Sequence, residues 1–225
     1  MRQFQQFLLE GRNDPAIFKA IFLAGGPASG KSTAIRKSGI TGLGYRIVNS
    51  DQFLTLLTKK AGIDQDFSNK EDGTEDPKIR QIRMKSYKLN DKKLDLYIKG
   101  RLGLIIDGTG SYFPMIRDQS NNLRDIGYDT FMIFIKTPLD VAQQRNIDRY
   151  EKEGDRKLDP EIVSQSWWNA MANEDDYKTH FGRSYISMRS DTATSMDYAK
   201  VYKQVQKFTK KPIRNSQAKL WLKHG

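Results

Sequence analysis

Ala20-Ile21-Phe22-Leu23-Ala24-Gly25-Gly26-Pro27-Ala28-Ser29-Gly30-Lys31-Ser32-Thr33 runs from an apolar stretch through a glycine-rich turn into the helix-compatible Ala34-Ile35-Arg36-Lys37. From Gly25 to Ser32 it fits G-x-x-x-x-G-K-[ST], with strand, loop and helix in the order a phosphate cradle needs. Glycines let backbone amides turn inward without Cβ clashes, and the helix N-terminus adds the positive end of its dipole. Lys31 can reach the outer phosphates, and Ser32 can sit on a magnesium ion. The segment Gly25-Gly26-Pro27-Ala28-Ser29-Gly30-Lys31-Ser32-Thr33 is therefore expected to bind a nucleoside triphosphate, ATP with Mg2+.

Outward from this loop, apolar runs alternate with helical patterns. Tyr45–Asn49 reads as a second strand with Asn49-Ser50-Asp51 at its carboxyl end, where ligands of open α/β sheets bind. Phe53, Leu54, Leu56 and Leu57 continue as a helix face. The polar, acidic stretch 62–77 reads as an exposed loop, and Ile79, Ile82, Tyr87, Leu94, Tyr97 and Ile98 mark one long helix or two short ones. Leu102–Asp107 is a continuous apolar run ending in an aspartate, as a buried parallel strand carrying a magnesium-orienting carboxylate would be. A fourth strand is expected over 129–135. Thr137-Pro138-Leu139-Asp140 follows as a helix start, with threonine as the cap and proline in the first turn. Arg145, Arg149, Lys152, Arg156 and Lys157 gather around the next helix-loop-helix, which Asp159-Pro160-Glu161 continues by the same cap chemistry. Of Trp167 and Trp168, about 100° apart on a helix, one is expected in the core and the other at a lid or substrate. A fifth strand over 184–188 and a last helix over 196–208, ended by Lys211-Pro212, complete the pattern.

Composition bounds the reading. The 225 residues suit one α/β domain, 1–225, rather than two. The absence of cysteine excludes disulfides, thiol catalysis and cysteine-bound zinc, and His180 and His224 have no metal-ligand spacing. Magnesium arriving with the nucleotide is the one ion expected. No apolar run reaches membrane-span length and no secretory signal opens the chain, so a soluble, cytoplasmic protein with no membrane partner is expected. The net charge of +11 suits an anionic partner, but eight basic and no acidic residues lie in 198–225, leaving +3 for the rest. Residues 210–225 read as a basic tail, either a solvated face or a nucleic-acid contact.

Gly25 to Thr33, Asn49-Ser50-Asp51, Ile105-Ile106-Asp107-Gly108-Thr109, and Arg149-Tyr150-Glu151 with Arg156 and Pro160, in this order, resemble the zeta-toxin and polynucleotide-kinase group of P-loop kinases. The resemblance spans about residues 20–170. It implies a five-stranded parallel sheet in the order 2-3-1-4-5, helices on both faces and a small helical lid at 145–160. It also implies Asp51 as base for the acceptor hydroxyl and Arg149 and Arg156 on the transferring phosphoryl group, with Lys31 on the phosphates and Ser32 and Asp107 on magnesium. Zeta toxins usually carry glutamate before Gly-Thr, where this chain has Asp107, and Gln144-Arg145-Asn146 looks like the lid helix of phage polynucleotide kinases. An ATP-dependent kinase of a nucleic-acid or nucleotide-like hydroxyl is the first reading implied. A kinase of a UDP-sugar is the second. A non-catalytic nucleotide-binding or packaged phage head protein is the third. For that last reading, Met1–Gly11 is an amphipathic helix that also resembles the capsid-targeting peptides of tailed-phage head proteins, cut after Leu8-Leu9-Glu10, which would add the phage head to its locations and partners.

Overall fold

The computed structural model describes residues 11–68 and 76–224. The expectation of an N-terminal helix or targeting peptide in 1–10 lies outside them. Strands β1 (Lys19–Ala24), β2 (Arg46–Val48), β3 (Leu104–Asp107), β4 (Asp129–Lys136) and β5 (Tyr185–Arg189) form one sheet in the order β2-β3-β1-β4-β5. Every strand pairing in it is parallel. This is the 2-3-1-4-5 order that the resemblance implied.

β1 is the central strand and all its residues are buried, which is why it reads as an apolar run rather than an alternation. Its alternate side chains feed two cores. Ile21 and Leu23 join Ile35, Ile133, Ile135, Val201 and Phe208 on one face, while Ala20, Phe22 and Ala24 join Val48, Leu104, Met132, Phe134 and Tyr177 on the other. Lys19, buried at the start of β1, is neutralised by Asp129 directly across the pairing and donates to the Lys211 carbonyl at 2.9 Å. Such burial of a cation holds only with its partners in place.

The helices are α1 (Lys31–Ser38), α2 (Ser50–Lys60), α3 (Pro77–Lys99), α4 (Phe113–Asp125), α5 (Leu139–Glu153), α6 (Pro160–Ala172), α7 (Glu174–Phe181), α8 (Ser195–Thr209) and α9 (Ser216–His224). Residues 77–99 are thus one helix, not two, begun by Asp76 accepting from the Lys78 N–H at 2.6 Å with Pro77 in the first turn. None of the helices among the described residues is long and apolar enough to cross a membrane.

Three local expectations change. Residues 62–68 are not simply an exposed loop, because Asp66–Phe67 pairs in parallel with Lys157–Leu158 and Phe67 is buried. Thr137 does not cap α5. Its hydroxyl turns toward the Ser29 carbonyl and Ser190, and Pro138 takes the cap position without a side-chain bond. The segment after Pro212 is not a frayed tail, since α9 buries Ala218 and sets Trp221 edge-on to Phe18 at 5.6 Å. Phe18 precedes β1, so α9 lies at the amino ends of the strands, away from the glycine-rich turn.

Candidate active site

The register of the sheet builds the site. Leu23 of β1 pairs with Asp107 of β3, and the Gly25 N–H donates to the Thr109 carbonyl at 3.0 Å, so the two sequence landmarks meet at one point. Gly25 has φ 143° and a Cβ there would lie 2.4 Å from the Ile135 carbonyl oxygen, while Gly30 enters α1 with φ 90°. Neither position accepts a side chain without strain. The turn then delivers Lys31, Ser32 and Thr33 to the first turn of α1, whose free N–H groups and dipole favour an anion.

A cleft of about 890 Å³ opens at the carboxyl ends of the strands. Pro27 to Thr33, Asp51, Asp107, Arg149 and Arg156 all border it, together with Asn49 and Arg145. Gly25 and Gly26 do not line it, but the Lys31 ammonium donates to their carbonyls at 2.7 and 2.9 Å. The structure therefore brings Lys31, Ser32, Asp51, Asp107, Arg149 and Arg156 to one cleft.

Electrostatics in the cleft are unbalanced. Burial pushes the Lys31 ammonium below the usual lysine range, partly opposed by Asp107 and Asp51. Burial likewise pushes the Asp107 carboxyl up, opposed by Lys31 and by the Asn49 hydrogen bond. Asp107 Oδ2 accepts from the Asn49 amide at 2.7 Å, whereas its Oδ1 is buried with no partner among the described residues. Nε and Nη2 of Arg149 are buried and equally unpartnered, and burial also lowers its pKa. Arg156 is buried and reaches the more exposed Asp51 carboxylate through Nη2 at 2.9 Å, leaving its Nε without a partner. Unsatisfied buried polar atoms are rare in folded chains and call for a reason. Here donors and an acceptor are left over on residues that border one cleft.

Asp107 fits a magnesium site in this respect, with one oxygen held and the other free, in the same cleft as Ser32 at the start of α1. Among the described residues no group of three or more His, Asp or Glu side chains could hold a metal by itself. That donor set matches an ion that keeps water and phosphate oxygens as ligands.

Several residues named in the sequence take supporting roles that it did not assign. Asn49 caps α2 by accepting from the Asp51 N–H at 2.7 Å while its amide holds Asp107, so one side chain ties the backbone of Asp51 to the carboxylate of Asp107. Its position before Ser50-Asp51 at a strand end was the available signal. Arg145 lies beside Gly30 and donates to Ser190 Oγ at 2.8 Å and to the Ser190 carbonyl at 3.2 Å, which ties α5 to the loop. Trp167 packs where a Cβ on Gly26 would meet it at 3.1 Å and donates from Nε1 to the Thr137 carbonyl at 2.7 Å. Trp168 meets it edge-on at 4.9 Å and stays 60% exposed, so the two rings divide between the loop and the surface.

The segment 145–160, expected as a lid, is stitched to 64–68. Lys157 pairs with Asp66 at 2.9 Å, Tyr150 donates to Asp64 at 3.0 Å, and the buried Asn146 amide both donates to the Leu158 carbonyl and accepts its N–H, at 2.7 and 2.9 Å. Arg156 precedes this pairing directly and Arg149 lies on the helix that supports it.

A family model described as zeta toxin matches residues 9–204. No curated protein matches the chain by sequence. Among solved structures, it superposes on a chain of the AvrRxo1-ORF1:-ORF2 complex with ATP at TM-score 0.59 and 17% identity, over 94% of this chain and 73% of that one. The PezAT toxin-antitoxin system of Streptococcus pneumoniae gives TM-score 0.51 and 17% identity, over 92% and 88%. The Pnkp1/Rnl/Hen1 RNA repair complex gives TM-score 0.52 and 19% identity, over 70% of this chain and 45% of that one.

Proposed function

The chain belongs to the zeta toxin family, and from that premise we propose that it is an ATP-dependent kinase acting on a hydroxyl of a nucleic-acid or nucleotide-like acceptor. The observation that carries this reading is the set of unpaired buried groups on residues that border one cleft: Arg149 Nε and Nη2, Arg156 Nε and Asp107 Oδ1, with Lys31 in the same cleft. An anion against Lys31 and Arg149, and a cation against Asp107, would each satisfy an orphaned atom and relieve the cost of burying that charge. A triphosphate with its divalent cation supplies both.

In this reading Lys31 and the loop amides hold the β- and γ-phosphates, with the α1 dipole behind them. Ser32 and Asp107 would hold Mg2+, which neutralises charge on the phosphate oxygens. Asp51 takes the proton of the acceptor hydroxyl as its oxygen bonds to the γ-phosphorus and the bond to the β-phosphate oxygen breaks, releasing ADP. Arg149 and Arg156 offset charge on the transferring group. Arg156 already touches Asp51, so the base and the lid arginine lie within reach of one reacting centre. Family membership favours a UDP-sugar as the second acceptor.

The test is transfer of label from γ-labelled ATP to a panel of 5′-hydroxyl DNA and RNA, modified-base DNA, nucleosides and UDP-sugars. Labelling of one acceptor class, lost in Lys31→Ala, is expected. Labelling of none above the Lys31→Ala background would overturn the kinase reading.

A further inference from the structure

Thr137 and Ser190 are each the first residue past a strand, β4 and β5, and these strands follow β1 in the sheet order. Parallel pairing therefore delivers both hydroxyls beside the glycine-rich turn that follows β1. The Ser190 N–H extends the ladder to the Lys136 carbonyl at 2.9 Å, which fixes its backbone. Ser190 Oγ lies 2.5 Å from the Ser29 carbonyl oxygen, 2.8 Å from Nη1 of Arg145 and against the Thr137 hydroxyl. A hydroxyl has one hydrogen to give, a carbonyl only accepts and a guanidinium only donates. Ser190 therefore gives its hydrogen to Ser29 and receives one from Arg145.

That order of bonds acts on the phosphate-binding part of the turn. The Ser29–Gly30 peptide is planar and trans, so holding its carbonyl fixes the direction of the Gly30 N–H. Gly30 caps α1, and its N–H belongs to the set that the first turn leaves free for an anion. The charge of Arg145, relayed through the hydroxyl, polarises the peptide in the sense that makes this N–H a stronger donor. Packing there is close, since a Cβ on Gly30 would lie 3.1 Å from Ser190 Oγ and 3.3 Å from Arg145 Nη1.

Arg145 also sits one turn before Arg149 on α5. Arg149 Nε and Nη2 have no partner among the described residues, so these donors are placed by the helix that carries them. Arg145 pins that helix by two bonds to one residue, from Nη1 to the Ser190 hydroxyl and from Nη2 to the Ser190 carbonyl at 3.2 Å. One serine thus stands between the triphosphate loop and an arginine assigned to the transferring group.

We propose that Ser190 and Arg145 are positioning residues for phosphoryl transfer: the Ser190 hydroxyl sets the Gly30 N–H on the β-phosphate, and Arg145, held by the same serine, sets α5 and with it Arg149. The first half rests on the triphosphate reading of the loop, the second on the kinase reading. The experiment compares wild type with Ser190→Ala, Ser190→Thr, Arg145→Lys and the double variant Ser190→Ala/Arg145→Lys. Titration calorimetry gives the affinity for ATP and for tripolyphosphate, which has the phosphates without the base. Loss of label from γ-labelled ATP, with the acceptor panel present, gives kcat.

Ser190→Ala should weaken ATP and tripolyphosphate by the same factor, roughly five-fold, as loss of one hydrogen bond does. Ser190→Thr keeps the hydroxyl and should restore both. Arg145→Lys keeps the charge but loses the two-bond hold, and should lower kcat by roughly ten-fold through misplacement of Arg149, with a smaller effect on tripolyphosphate. The double variant should lose little more kcat than the worse single variant, because both changes act through one contact. Weaker ATP with unchanged tripolyphosphate would make Ser190 a contact to the base and overturn the proposal. So would additive effects of the two changes on kcat. Unchanged kcat in Arg145→Lys would overturn the second half even if Ser190→Ala failed to fold. Weaker tripolyphosphate binding in Ser190→Ala, with no label lost by wild type, would support the first half and overturn the second together with the kinase reading.

Discussion

Asn49 shows how little of the chemistry is set by the reacting groups alone. Its amide holds one oxygen of Asp107 and its carbonyl caps the helix that begins beside Asp51. Asn49→Ala removes both bonds at once, and a roughly ten-fold fall in kcat is expected, the lower end of what losing an outer partner of a metal-binding carboxylate costs. KM for ATP should change less, because Lys31 and the loop are untouched. Away from the site, His180 offers a pH test of the fold. It contacts Ser120 Oγ at 2.7 Å and Arg124 Nη1 at 3.3 Å, with the rings of Phe113 and Phe181 against it. Burial first, and then Arg124 and Arg117, lower its pKa from the usual 6.5. The unfolded chain therefore binds the proton more readily, and stability present above 6.5 is lost as pH falls through the lower folded value. His180→Gln should flatten the pH dependence of the unfolding midpoint below 6.5, and an unchanged slope would show that the imidazole does not titrate this way.

At the scale of elements, the most instructive piece is the short pairing of Asp66–Phe67 with Lys157–Leu158. It makes residues 64–68 part of the lid and places Arg156 at the junction. Asn146 holds that junction through two bonds to Leu158 while almost wholly buried. Asn146→Ala should cost about 2 kcal/mol, since it leaves the Leu158 N–H and carbonyl without partners, and should reduce kcat more than ATP affinity. Calorimetric unfolding and steady-state kinetics on the same protein check both halves. The long regular elements were legible in the sequence. β1 and β4 read as apolar runs because both faces of the sheet are covered, and α6 announced itself through Asp159, which accepts from the Glu161 N–H at 2.8 Å. The lid pairing was not legible, because strands of two residues have no period to detect. Thr137 misled for a related reason: its side chain satisfied the local cap pattern, but Ser29 and Ser190, distant in sequence, offered it other partners.

For the molecule as a whole, topology did what no single motif could. A parallel sheet with β1 at its centre brings the loop after β1, the start of α2 after β2 and the end of β3 to one edge, so Lys31, Asp51 and Asp107 converge although they are widely spaced in the chain. Charge was the property least readable from sequence, since eight basic residues in 198–225 pointed to a tail, while the structure puts Lys200, Lys203 and Lys207 on α8, which packs on the sheet, and only Lys219 and Lys223 on α9 at the other end. Deleting 216–225 should therefore destabilise the protein, by about 2 kcal/mol or more for the lost burial of Trp221 and Ala218, with no change in the salt dependence of oligonucleotide binding. Loss of that binding on truncation would return the nucleic-acid contact to the tail. In the kinase reading, Asp51 acts as the base in a site that also binds ATP. Its most direct test is Asp51→Asn, with ATP affinity and the rate of label transfer measured on one preparation. ATP binding within about two-fold of wild type, with transfer reduced by roughly 10²–10⁴, is the predicted result; transfer at the wild-type rate would contradict the central claim.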